Sequence, residues 1–375
     1  MVSGRLVTVV VLVACASVAV VQLLLRPSLD CTERLGGGWR LGAAGGGSAG
    51  IPLPRGSEAG ADGEALGPAS SFSGRPSARD ACAALRPLGV FAQAEADFAR
   101  HRGGMSQRQE SEYASFCQRR AQACLTVVVL NGRLFVRHLY PGYQSRHRST
   151  LHAIYRVALR FGPLPNMQFV VDVTDGIPDL ADLPVFTVTR PRDSKVGILY
   201  PDFTFNTWPE SVCPPERSHA YGFVFDAFRQ RAAVEDVAGP EGWNGKEDVL
   251  FWRGGRIGNR DRDLAVQQLA GQPLMDVQFM DWRSVSVTGN NAAPGCMGLL
   301  EQCKYKYLAF LNGNTYSSRF KFELLCGSCV FASRQAWVEW WSHLFEPGKD
   351  FVEVAPDFSD APAMLAEVRG RLDGG

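Results

Sequence analysis

The sequence predicts an α/β protein with two domains, each built around a mainly parallel sheet, behind a membrane anchor and a flexible stem. Apolar, β-prone runs alternate with helical patterns in both halves of the chain, which is typical of parallel sheets with crossover helices. The 375 residues are enough for two substantial cores. The predicted boundaries are residues 1–30 for a cytosolic stub and anchor, 31–80 for the stem, 81–240 for the first domain and 241–375 for the second.

The N-terminus predicts one membrane span. Leu6 to Leu25 are twenty residues without a charge, bracketed by Arg5 and Arg26. At about 1.5 Å per residue, such a helix crosses the roughly 30 Å of bilayer hydrocarbon. A cleaved signal peptide is the alternative, because "ACASVA" offers small residues at a cleavage-like position. The length of the apolar run favours an uncleaved anchor and a single-pass type II protein of the endoplasmic reticulum or Golgi membrane, with its domains in the lumen.

Composition limits the classes of partner. Lys and Arg total 39 against 38 for Asp and Glu, a balance that does not support nucleic acid or an acidic polymer as partner. Residues 35–79 are rich in Gly, Ala, Ser and Pro and bury too little apolar surface to order themselves.

The ten cysteines favour partial disulfide bonding in a lumenal protein. Cys326 and Cys329 form a C-x-x-C, but no second Cys or His pair supports a zinc site there.

The predicted elements follow one another in a simple order. In the first domain, a helix in "QRQESEYASFCQRRAQACL" precedes a strand in "TVVVLNGRLFVRHL"; a helix in "RSTLHAIYRVALRFG" precedes buried strands in "MQFVVDVTD" and "PVFTVTR". In the second, "EDVLFWRGGRIGNRDRDLAVQQLAG" predicts a strand, a glycine loop and a helix. "YLAFL", "SSRFKFELLCG" and "SCVFAS" then predict a strand, a helix with serines at its start, and another strand.

Three loops follow predicted strands, where α/β sheets bind their ligands. In "DVTDG", Asp172 and Asp175 are three residues apart and so face opposite sides of an extended strand. Asp172 is therefore predicted to be structural, whereas Asp175 is free to act on a ligand as a general base. The alternative for Asp175 is a turn-forming Asp-Gly pair.

The loop "RGGRIGNRDRD" combines glycines, which admit a ligand to the backbone, with cations suited to phosphate. Its arginines are Arg253, Arg256, Arg260 and Arg262. A solvated basic turn is the alternative. The D-x-D formed by Asp261 and Asp263 suggests a divalent metal bridging a nucleotide diphosphate, but these aspartates lie among arginines.

The loop "NGNTYSSR" carries two serines and a cation at a predicted helix start, which is typical of an anion site. The alternative is that Ser317 only caps the helix and Arg319 is a solvated charge.

Four segments, in order, resemble one family: "VVDVTDGIPD", "LYPDFTFNTWPE", "FWRGGRIGNRDRD" and "CKYKYLAFLNGNTYSSRFKFELLCGSCVF". They are similar to the protein O-glucosyltransferases, the Rumi-like enzymes that include fungal capsule-associated proteins. The resemblance covers roughly Cys117 to Pro356. It implies a GT-B architecture, with two Rossmann-like domains facing across a cleft. It also implies inverting, metal-independent transfer of glucose or xylose from a UDP-sugar co-substrate to a hydroxyl of a protein or glycan, with no cofactor.

The resemblance also implies roles for individual residues. Asp175 corresponds to the catalytic base. Residues 314–319, from here on the donor loop, match the segment that holds the donor diphosphate. Gly255 stands where the family has a donor-binding serine, and either Arg260 or Arg262 matches the following arginine. The implied donor-binding set is Gly255, Arg260, Arg262, Asn314, Thr315, Tyr316, Ser317, Ser318 and Arg319. The implied disulfides are Cys303–Cys326 and Cys117–Cys124.

Two departures from the family affect these expectations. The family usually carries a longer C-terminal region that crosses back to the first domain, so we expect altered domain closure here or an incomplete chain. The acidic loop is one residue longer, with Gly176-Ile177 where an aromatic usually precedes proline, so acceptor choice is expected to differ. The alternative functions are a non-catalytic, membrane-anchored carbohydrate-binding protein and a metal-dependent transferase that uses Asp261 and Asp263.

Overall fold

The computed structural model describes residues 89–120, 123–138, 143–161, 164–176, 183–208, 242–280 and 297–373. The predicted anchor and stem lie outside these residues. Within the described part of the chain, no helix combines the length and the apolar character needed to cross a membrane.

A five-stranded mixed sheet forms from the first half of the chain. Its strands and the flanking elements are α1 (Ala92–Arg100), α2 (Gln107–Arg120), β1 (Cys124–Leu130), β2 (Arg133–His138), α3 (Gln144–Phe161), β3 (Met167–Asp172), β4 (Val185–Thr187), β5 (Arg190–Pro191) and β6 (Ile198–Leu199). The strand order is β2-β1-β3-β4-β6. The pairs β3–β4 and β4–β6 are parallel, whereas β1 runs antiparallel to both β2 and β3. The expectation of a mainly parallel sheet was therefore wrong for this half.

The segment predicted as one strand, "TVVVLNGRLFVRHL", is a hairpin. It turns at Asn131 and Gly132, whose φ angles are 50° and 73°. Positive φ at both central residues matches the right-handed twist of the paired strands, and Asn-Gly adopts it at low cost. This turn is the physical reason that β1 and β2 pair antiparallel.

The second half of the chain forms a five-stranded parallel sheet. Its elements are β7 (Glu247–Gly254), α4 (Arg260–Leu269), β8 (Met275–Phe279), β9 (Tyr305–Phe310), α5 (Phe320–Glu323), β10 (Cys329–Ala332), β11 (Trp337–Val338), β12 (Val352–Glu353) and α6 (Ala361–Asp373). The order is β12-β10-β9-β7-β8, and every pairing is parallel. β7, β9 and β10 coincide with the predicted apolar runs, and their buried side chains form the core of this half.

The helix predicted to start at the serines is shorter than expected. α5 begins at Phe320 and has four residues, followed by a 3-10 turn over Leu324–Cys326. Arg319 precedes the helix and makes no side-chain cap. The chain leaves through Gly327, whose φ of 61° favours glycine. The helix predicted over residues 317–327 is therefore corrected to a loop, one helical turn and a 3-10 turn, and the serines lie in the loop before it.

The two halves make direct contact. β11 pairs with β5 through Trp337 opposite Pro191 and Val338 opposite Arg190. Since β5 belongs to the first half and β11 to the second, this separate two-stranded sheet joins the two halves of the chain.

Both expected disulfides are present. Cys117 at the end of α2 bonds to Cys124 at the start of β1, with the Cα atoms 6.1 Å apart. Cys303 bonds to Cys326 with the Cα atoms 4.7 Å apart, and so links the segment before β9 to the turn after α5. Because Cys326 is bonded to Cys303, it does not form a C-x-x-C pair with Cys329.

Candidate active site

Asp175 lies just beyond the end of β3. Its Oδ1 accepts a hydrogen bond from Arg146 Nη1 at 2.7 Å, and its side chain is 47% exposed. Arg146 is held by the carbonyl of Val173 at 3.1 Å and lies over the rings of Tyr143 and Phe203. The carboxylate is therefore oriented by a fixed guanidinium and remains accessible, as a general base requires.

Asp172, by contrast, is fully buried. Its Oδ2 accepts from the Tyr113 hydroxyl at 2.9 Å, and its Oδ1 accepts from the main-chain nitrogen of Thr174 at 2.8 Å. Burial raises its pKa above the usual range, against the hydrogen bonds that favour its charged form. The geometry agrees with the structural role predicted for Asp172.

The donor loop reaches the acidic loop. Thr315 Oγ1 donates to the main-chain carbonyl of Asp175 at 2.5 Å. The turn before it is tight, because a Cβ on Gly313 would lie 2.1 Å from the carbonyl oxygen of Tyr316. Gly176 is equally confined, since a Cβ there would lie 2.7 Å from the Trp337 ring. The structure therefore brings together two loops that are about 140 positions apart in the sequence.

The hydroxyls of the donor loop point in different directions. Ser318 Oγ donates to Asp202 Oδ2 at 2.8 Å, and the buried Tyr316 hydroxyl lies 3.3 Å from the same oxygen. Asn314 is exposed, and Ser317 is half-buried. Asn314 and Ser317 thus remain accessible to a ligand, whereas the other two hydroxyls face the interior.

Arg319 is mostly buried, with a side chain 14% exposed. It donates to the main-chain carbonyl of Arg253 and to the side chain of Gln302, and its Nη2 lies 3.3 Å from Glu323 Oε1. The ring of Trp252 packs 5.7 Å from the guanidinium carbon. Arg319 is therefore an internal cation at the end of β7, and the alternative of a solvated charge is wrong.

Glu323 is the counter-charge of Arg319, and the sequence did not single it out. Burial raises its pKa to about 7, although Arg319 and Arg262 favour the charged form. Burial also lowers the pKa of Arg319, which Glu323 opposes. The protonation state of Glu323 therefore depends on any further charge that comes close to the pair.

The two arginines that match one family position have different environments. Arg262 is buried and donates from three nitrogens, each at 3.0 Å, to the carbonyls of Asn312, Gly255 and Leu311. Burial, reinforced by Arg319, lowers its pKa to about 10. Arg260 is exposed at the first residue of α4. Arg262 therefore ties the two basic loops together, and Arg260 is the one open to a ligand.

The two aspartates considered as metal ligands, Asp261 and Asp263, have different surroundings. Asp263 pairs with Arg256 at 3.1 Å, while Asp261 is exposed in the first turn of α4. Within the part of the chain that the structure describes, no three His, Cys, Asp or Glu side chains are grouped to hold a metal ion.

Comparison with known proteins defines the class. The model of glycosyl transferase family 90 matches residues 90–368, which contain both sheets and both loops. The chain therefore belongs to glycosyl transferase family 90 and is a glycosyltransferase, as the resemblance implied.

Several named proteins are similar to this chain. Protein O-glucosyltransferase 1 of Rattus norvegicus is 28% identical over 287 residues, covering 74% of this chain and 69% of its own. The Homo sapiens protein of that name is 27% identical over 289 residues, with the same coverage. O-glucosyltransferase rumi of Drosophila melanogaster is 28% identical over 202 residues, covering 51% of this chain and 47% of its own.

Proposed function

We propose that this protein transfers a sugar from a UDP-sugar to a hydroxyl group of a protein acceptor, with inversion at the anomeric carbon and without a metal ion. The observation that carries the proposal is the contact between Thr315 and Asp175, which joins an accessible carboxylate to a loop ending in a cation. One sheet in each half of the chain suits two facing Rossmann-like domains, the GT-B arrangement expected for residues 81–240 and 241–375.

Asp175 acts as the base. Its carboxylate removes the proton from the acceptor hydroxyl while the oxygen attacks the anomeric carbon from the face opposite UDP. Arg146 fixes Oδ1 at 2.7 Å, which aims the carboxylate without burying it. A positioned base of this kind contributes about 10²–10⁴-fold to a rate.

The donor loop and its cations stabilise the leaving UDP. Negative charge builds on the diphosphate as the sugar departs, and donors fixed in advance stabilise it most. Arg319 supplies the positive charge that stabilises it, by exchanging internal partners for phosphate oxygens. Arg260 at the start of α4 adds a second, exposed cation, and helix N-termini favour anions.

A protein acceptor and a lumenal site complete the proposal. The relatives named above are O-glucosyltransferases, and the name of the mammalian ones, protein O-glucosyltransferase 1, describes a protein as the acceptor. The two disulfides suit an oxidising compartment such as the endoplasmic reticulum or Golgi lumen. In this proposal the uncharged run from Leu6 to Leu25 crosses the membrane, with the short stub before it in the cytosol and the rest of the chain in the lumen. Membership of the family favours catalysis over the alternative of a carbohydrate-binding protein without activity.

A turnover assay tests this function and its metal independence together. The purified protein is incubated with a panel of UDP-sugars and folded acceptor domains, with and without EDTA. We expect EDTA to leave unchanged both the rate of UDP release and the gain in acceptor mass that reports sugar transfer. Both rates should fall about a hundredfold in Arg319→Ala. They should change little in Asp261→Ala or Asp263→Ala. Inhibition by EDTA that manganese reverses, with loss of activity in the two aspartate variants, would contradict the metal-free mechanism.

A further inference from the structure

One buried carboxylate in the first half of the chain accepts hydrogen bonds and an ion pair from several residues of the second half. Asp202 follows β6 and has a side chain with 0% exposure. Ser318 Oγ lies 2.8 Å from its Oδ2, and the Tyr316 hydroxyl lies 3.3 Å from the same atom. Lys321 Nζ lies 3.1 Å from its Oδ1. Three residues of the donor loop and α5 therefore converge on one side chain across the interface of the two halves.

Asp202 is itself firmly held. Thr204 Oγ1 donates to both carboxylate oxygens, at 3.0 and 2.9 Å. Phe203, the residue after Asp202, accepts a hydrogen bond at its main-chain carbonyl from Ser149 Oγ of α3 at 2.7 Å. Asn206 Nδ2 donates to the main-chain carbonyl of Ser149 at 3.1 Å. Since α3 also carries Arg146, the partner of Asp175, the anchor and the base are fixed to the same helix.

The charge of the cluster is balanced. Lys321 is completely buried, donates to the carbonyl of Ser318 at 2.9 Å and lies 4.6 Å from the centre of the Phe205 ring. A second carboxyl group, Glu339, is also buried there, and burial raises its pKa to about 8 although Lys321 lowers it. Burial therefore favours the uncharged form of Glu339, while Lys321 pairs directly with Asp202. Breaking such a buried pair leaves an uncompensated charge.

We propose that Asp202 is a positioning residue that holds the donor loop in its binding conformation, and that Ser318 and Tyr316 act on the donor only through Asp202. The inference rests on the proposed function, because it concerns how the donor site is kept in shape. It also reassigns two hydroxyls from direct donor contact to the support of the loop. Asn314, Ser317 and Arg319 are left as the side chains of the loop that meet the diphosphate.

The anchor is tested by hydrogen exchange in the full-length protein without any ligand. We expect the amides of residues 314–319 to exchange at least tenfold faster in Asp202→Asn than in wild type. Asp248→Asn is the control, because Asp248 is a partly buried, ion-paired aspartate that contacts Arg369 of α6 at 2.5 Å, at the start of β7, whereas Arg319 contacts the carbonyl of Arg253 at the end of that strand. This control should leave exchange at 314–319 unchanged. Unaltered exchange in Asp202→Asn would overturn the anchor.

The consequence for donor binding is tested by a double-mutant cycle with UDP-glucose, measured by calorimetry and by kinetics. We expect Asp202→Asn to raise the Kd and donor KM about tenfold, with a smaller change in kcat. Ser318→Ala alone should raise the Kd about threefold. Added to Asp202→Asn it should raise the Kd hardly further, because both substitutions remove the same contact, the one between Ser318 and Asp202. Additive losses would show that Ser318 touches the donor directly and would overturn the proposal.

Two outcomes keep the inference separate from the proposed function. If Asp202→Asn does not fold, Tyr316→Phe and Ser318→Ala replace it in the exchange experiment. Each should then accelerate exchange at 314–319, and a failure of both would overturn the anchor. A wild-type protein that bound none of the UDP-sugars would contradict the proposed function, while the exchange data would still decide whether Asp202 holds the loop.

Discussion

Raising the pH above 7 is expected to weaken UDP-sugar binding through Glu323. Its Oε1 lies 3.3 Å from Arg319 Nη2, and its side chain is 1% exposed. Burial raises its pKa to about 7, offset in part by Arg319 and by Arg262 of α4. When Glu323 is ionised, it competes with the donor diphosphate for Arg319; when it is protonated, this competition from a second negative charge is removed.

The sign and size of the effect follow from linkage. A phosphate charge about 6 Å from Glu323 raises its pKa by roughly two further units at an effective dielectric constant of 20. Binding therefore takes up a proton. Affinity is constant below the pKa of about 7 in the free protein and declines as the pH rises through it, by at most about tenfold per pH unit. Between about pH 6.5 and pH 8, the loss is roughly five- to tenfold.

Calorimetric titration with a UDP-sugar measures this loss. The sugar diphosphate is the correct probe, because the terminal phosphate of UDP itself titrates near this range, with a pKa of about 6. Glu323→Gln should bind with little dependence on pH, provided that its melting temperature stays above the assay temperature. Glu353→Gln, at an exposed position of β12, should behave as wild type. Equal pH slopes in wild type and Glu323→Gln would refute the reasoning.

Three further predictions concern the loop and its supports. Replacing both Cys303 and Cys326 by serine should lower the free energy of unfolding by about 3 kcal/mol, the value for a loop of this size; an unchanged urea midpoint would contradict it. Gly313→Ala should weaken UDP-sugar binding at least tenfold, because its Cβ would lie 2.1 Å from a carbonyl oxygen. Gly370→Ala, in open space on α6, should instead stabilise the fold by up to about 1 kcal/mol, and equal donor affinity in both variants would refute the steric argument. Arg319→Lys should restore only part of the activity lost in Arg319→Ala, because a point charge lacks the planar fork that grips two phosphate oxygens. Full restoration would argue against paired contacts.

Elements with a local signal could be predicted from the sequence. The strands β7, β9 and β10 are short apolar runs between turn residues, and they lie where those runs lie. Asp175 can be predicted because it follows a strand, and the structure places it beside the donor loop. The hairpin at Asn131-Gly132 also has a local signal, but the apolar residues on both sides of it predict a single strand.

Residues that depend on distant partners could not be predicted. Arg146 orients a carboxylate 29 positions away, and Asp202 meets Ser318 across 116 positions. Nothing in the spacing of "LYPDF" shows that its aspartate faces another sheet. The short α5 has a similar origin, because all four of its side chains are buried and packing, rather than the serine signal, sets its start.

The central claim is that Asp175 is the catalytic base, and the turnover of Asp175→Asn tests it most directly. Asparagine keeps the shape of the side chain but cannot accept the proton. We expect transfer to the acceptor to fall by about 10²–10⁴-fold, with UDP-sugar affinity within twofold of wild type. Asp193→Asn, at an exposed position of the same half, should retain full activity. Near-normal turnover by Asp175→Asn, with its donor bound and its fold intact, would contradict the account.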